Sequence, residues 1–84
     1  MHQKEASMLH GERVEVTDPS NGLDSARGSI VSSRDSRLAV EGEGFGRLSF
    51  SCAELRQTHR RGRVSVYETD EGVKIRTVPS TRGS

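Results

Sequence analysis

At 84 residues the chain holds one domain at most, and with 30% hydrophobic residues and no Trp its core must be thin. The formal net charge is +1, and a single cysteine excludes an internal disulfide framework. No apolar run approaches the roughly 20 residues a membrane helix needs and none resembles a signal-peptide core, so a reducing, cytoplasmic setting is the default expectation.

The first ten residues, MHQKEASMLH, are polar, lack alternation and carry no convincing helix cap, which predicts a flexible N-terminal tail over 1–10. From Gly11 the apolar period is two. Val14 and Val16 alternate with Arg13, Glu15 and Thr17 as a half-buried strand does. Asp18-Pro-Ser-Asn-Gly22 is turn chemistry, since Pro presets φ and Asn-Gly tolerates positive φ. A second strand follows over Gly28–Ser32 with Ile30 inward, and a third presents Leu38 and Val40 on one side. The glycine-rich segment Glu41–Gly46 reads as a hairpin loop. It makes a poor phosphate cradle, because Glu41 and Glu43 repel anions and no Lys-Ser/Thr follows.

A fourth strand, Arg47–Ser51, points Leu48 and Phe50 inward. Cys52–Thr58 is the one helix-compatible segment, one or two turns long, with Ser51 as cap and Glu54 three residues on. Cys52 reads as a small half-buried hydrophobe. Val64–Glu68 and the run through Lys74 and Arg76 form the last hairpin, joined through Thr69–Gly72. Residues 79–84, PSTRGS, have the composition of a disordered tail.

Short strands at regular spacing with one helical turn predict an all-β domain over 11–78, a small five- to six-stranded Src-homology-3-like or Sm-like barrel. Its expected core is Val14, Val16, Ile30, Leu38, Val40, Leu48, Phe50, Leu55, Val64, Val66, Val73 and Ile75. So thin a core also makes assembly with another copy or a partner an expectation.

Gly11-x-x-Val14-x-Val16, then Asn21-Gly22, then Gly28-x-Ile30-Val31 resembles the KOW-type motif of ribosomal proteins and transcription elongation factors. The resemblance covers Gly11 to Ser33 and implies an RNA- or protein-binding module on a Src-homology-3-like barrel. The connecting loop departs from that family in carrying Asp18 and Asp24, where basic residues would help meet RNA. Arg27–Val40 is similar in rhythm to the PilZ family but lacks its upstream arginine pair, with only Arg13 present.

Charge is uneven along the chain. Up to Gly46 there are five Lys or Arg against eight Asp or Glu, and from Arg47 onward eight against four. Arg outnumbers Lys eleven to two, which favours bidentate contacts to phosphate or carboxylate. With Val64 and Val66 inward, Arg61, Arg63 and Tyr67 share an outer face with Lys74 and Arg76, and Arg56, His59 and Arg60 sit at its rim. Such a face would hold phosphates by charge and stack a base on Tyr67. Glu68, Asp70 and Glu71 lie close enough to neutralise part of it.

The leading expectation is therefore a non-enzymatic nucleic-acid-binding accessory protein, RNA rather than DNA. The alternative is a protein-interaction module that docks through Phe45 and the C-terminal hairpin. His2, His10, Cys52 and His59 lack paired ligand spacing, so neither a metal nor a cofactor is expected. No nucleophile elbow or isolated carboxylate in an apolar setting suggests catalysis.

Overall fold

Buried apolar residues tie most strands of this chain to one core, whereas the stretch Arg56–Arg61 is extended with no buried residue at all. In the computed structural model, which describes residues 1–79, helix α1 (Gln3–Met8) precedes β1 (Arg13–Asp18), β2 (Leu23–Ser32), β3 (Arg37–Gly42) and β4 (Gly46–Ser51). After these come β5 (Arg56–Arg61), β6 (Val64–Glu68) and β7 (Lys74–Thr77). The expectation of disorder for residues 80–84 lies outside the described residues.

All neighbours pair antiparallel, in the order β4-β3-β2-β1-β7-β6-β5. The all-β class is as the alternation requires. Two details differ: there are seven strands, more than the five or six expected, and the sheet does not close into a barrel. Its free edges are β4 and β5.

The additional strand is β5. The helix-compatible stretch supplies one 3₁₀ turn, Cys52–Glu54, with Ser51 Oγ accepting from the Ala53 amide at 3.3 Å. The chain is extended again from Leu55 onward. At the first hairpin, Gly22 adopts φ 69 to end the turn Pro19–Asn21, the left-handed geometry that the Asn-Gly pair favours.

The core gathers Val14, Val16, Ile30, Leu38, Val40, Phe50, Leu55, Val73 and Ile75, with Leu48 packed against it. Each large aliphatic side chain so buried contributes about 1.5–3 kcal/mol of transfer free energy. Cys52 is fully inside rather than half-buried, at 3% exposure. Ala6 and Tyr67 also belong to the core cluster; Val66 is buried but lies outside that cluster, and Val64 is half-buried.

Residues 1–10, expected as a flexible tail, contain α1, and Ala6 on that helix is completely buried. Gln3 brackets the β2–β3 turn: its Nε2 donates to the Ser33 carbonyl at 2.6 Å and its Oε1 accepts from the Ser36 amide at 2.6 Å. That turn holds Asp35 and Ser36 left-handed, at φ 56 and 57. The Met1 nitrogen donates to the carbonyls of Cys52 and Leu55 at 2.9 and 2.5 Å. The N-terminal segment is thus tied to two connections at once, and Ala6 joins its helix to the core. Its stability comes from these tertiary contacts, since six residues are too few for a helix to persist alone.

Candidate functional site

Register decides which side chains share a face, because residues directly opposite across a sheet point the same way. Tyr67 lies opposite Ile75, and Ile75 is core, so Tyr67 points inward. Val66 lies opposite Arg76 and His59, and Val64 opposite Arg61, so both valines point away from the core. The parity expected for β6 is therefore inverted. The physical reason is size and polarity together. Tyr67 removes more apolar surface from water than a valine does, and its hydroxyl finds a partner inside by donating to the Glu5 carboxylate of α1.

The inversion redistributes the expected cluster. Arg61, His59, Lys74 and Arg76 line one cleft on the outer face, about 670 Å³, whose floor is Val64 and Val66. Glu15 and Thr17 of β1 form its far wall. Arg60, Arg63 and Tyr67 line a different recess, beside Glu5 and Leu9 of the N-terminal segment. Arg63 and Arg76 thus serve opposite faces. Arg56 stands at the rim and pairs with Asp70 at 2.5 Å, both side chains more than two-thirds exposed, an ion pair of little net worth.

Tyr67 is 2% exposed and offers no platform for a base. Burial, followed by the bond and charge of Glu5, pushes its phenol up to about 12. Phe45, expected as a partner contact, is partly buried and packs against the core. It lies over two glycines whose missing side chains leave it room. A Cβ on Gly28 would stand 2.9 Å from the Phe45 ring and 2.7 Å from the Glu41 carbonyl, and one on Gly42 2.6 Å from the ring.

Charge on the outer face follows a cross-strand pattern. One row runs His59, Val66, Arg76, Glu15, Arg27 from β5 to β2, with Arg76 and Glu15 paired at 2.5 Å. The next runs Arg56, Glu68, Lys74, Thr17. In these two rows each carboxylate lies between two cations, one of which, Arg56, is also paired with Asp70. On this face Val66 is buried and Val64 half-buried.

The feature that alternation missed is β5 itself. Arg56–Arg61 ends the sheet with only β6 beside it, and all six residues are exposed. A bulge at Thr58, between the pairs Gln57–Tyr67 and His59–Val66, turns His59 and Arg61 over the cleft. Among the described residues no cluster of His, Cys, Asp or Glu is arranged to hold a metal ion, and no helix is long and apolar enough to cross a membrane. What the cleft presents is fixed charge, an apolar strip and a strand edge.

No family model matches this chain, and no curated protein or solved structure matches it either.

Proposed function

We propose that the chain is a non-enzymatic protein-interaction module that docks an acidic partner on the outer face of β5, β6 and β7. One observation carries the reading. A cleft floored by Val64 and Val66 and rimmed by Arg61, His59, Lys74 and Arg76 lies directly beside a strand whose residues are all exposed. Apolar floor, charged rim and main-chain donors are what a protein segment uses together. Phe45, partly buried against the core and not among the residues that line this cleft, is left out of the reading.

A second reading, nucleic acid on the same face, is favoured by the cationic excess of its rows. It loses the stacking contact, because Tyr67 is buried and both Phe residues pack in or against the core. Nucleic acid would then be held by phosphate contacts alone and without base preference.

Fluorescence anisotropy separates the two. A labelled peptide of alternating glutamate and threonine and a labelled oligouridine are titrated with the protein between about 50 and 200 mM salt. Peptide binding that Lys74→Glu weakens, with no oligouridine binding, supports the protein partner. Oligouridine binding with a steep salt slope and no peptide binding supports nucleic acid. Silence from both probes removes both readings.

A further inference from the structure

We infer that the acidic partner segment binds as an eighth strand, antiparallel along the open edge of β5, with its acidic side chains over the cleft. The inference rests on the protein-interaction reading and adds the mode of recognition to it.

Among the described residues, β5 has a hydrogen-bonding neighbour on one side only, β6. Along its other side, no hydrogen bond from another part of the described chain reaches the backbone of residues 56–61. A six-residue strand in that position presents a row of amides and carbonyls ready for another strand. The remainder of the sheet is antiparallel throughout, the more stable pairing, and an added strand continues it.

The side chains select what that strand is. A second copy of β5 laid antiparallel in symmetric register sets Arg56 against Arg61 and Gln57 against Arg60, so like charges meet and the edge resists self-pairing. An acidic segment has the opposite balance. Every second side chain of such a segment falls beside His59 and Arg61, next to the strip of Val64 and Val66. The alternate set falls on the side of Arg60. Charge sets the kind of partner and main-chain pairing sets its geometry.

The test uses the intact chain and the labelled glutamate–threonine peptide in three forms. One is unmodified, one carries N-methyl groups on alternate amides, and one carries them on the intervening set. Charge and side chains are the same in all three. Strand addition predicts that one methylated form loses affinity by about tenfold or more while the other binds like the parent, since only one set of amides faces β5. Equal affinity for all three forms overturns strand addition and leaves the interaction reading standing. No binding by the unmodified peptide overturns both. Displacement of bound peptide by a second copy of the chain, seen as dimer mass in light scattering, overturns the acidic occupant.

Discussion

The Tyr67 hydroxyl donates to the Glu5 carboxylate, joining residues 62 positions apart and fastening α1 to the inner face of β6. With Tyr67 turned inward, Val64, Val66, Arg61 and Arg76 fall on the outer face. Replacing Tyr67 by Phe keeps the ring and deletes the bond. The expected loss is about 1–2 kcal/mol in urea denaturation, because the lost partner is a carboxylate.

The same hydroxyl gives the fold an alkaline limit. A phenol held up to about 12 in the folded chain, against roughly 10 when unfolded, favours folding in its protonated form. Its contribution is fully present below about pH 10 and is lost as pH rises towards 12. Wild type therefore loses stability across that window, and Tyr67→Phe removes this part of the slope. Thermal melts at stepped pH compare the two directly.

At the acid end the first hairpin carries the sensitivity. Asp18 accepts from Asn21 Nδ2 at 2.6 Å and Ser20 Oγ at 2.8 Å, and these bonds hold its carboxyl below the usual range. A depressed carboxylate adds stability that is present above its unfolded value, about 4, and lost as pH falls through the folded one. Asp18→Asn should flatten the stability curve below about pH 4 and leave it unchanged near neutrality in slope. An unchanged acid slope would mean that other carboxylates dominate.

The strands of the N-terminal half were legible because polar residues alternate with Val14 and Val16, and because Leu38 and Val40 are the large aliphatics of their strand, with only the small Ala39 between them. The turn Asp18–Gly22 was legible from its residue types. β5 was not, because an exposed edge strand imposes no apolar period, and RQTHRR has none. In β6 the run Val-Ser-Val-Tyr offers two insides, and the inward Tyr67 bonds to Glu5, a residue far away in sequence. α1 escaped for a related reason: it is short, His2 gives it no side-chain cap, and its stability comes from the Gln3 and Ala6 contacts. The expected basic cluster divides by face: His59, Arg61, Lys74 and Arg76 line the cleft, whereas Arg60 and Arg63 lie beside α1.

Phe45 tests the packing at the far hairpin. Gly28→Ala forces a methyl against the Glu41 carbonyl and the Phe45 ring, and backbone cannot retreat as a flexible side chain does. The expected destabilisation is about 1–3 kcal/mol. Phe45→Ala also destabilises, and as a residue packed inward it leaves binding of the acidic peptide unchanged. If Phe45→Ala weakens that binding while the fold is intact by circular dichroism, the ring is a partner contact after all.

The division of the arginines between two faces gives the sharpest comparison. Arg61 and Arg63 are separated by one residue, carry the same charge and are both exposed, so composition alone treats them alike. Arg61 lines the cleft with Lys74 and Arg76; Arg63 faces the recess beside Glu5. Reversing charge at Arg61 puts a carboxylate directly against an acidic segment on β5, whereas reversal at Arg63 acts from the opposite face, where solvent and salt screen it. Arg61→Glu is expected to weaken peptide binding by about tenfold or more, a loss near 1.4 kcal/mol, and Arg63→Glu by less than about twofold. Both are exposed substitutions at the ends of a hairpin, so the melts of the two variants should stay close to wild type. Equal losses at the two positions would mean that net charge, and not the outer face of the sheet, governs what this chain binds.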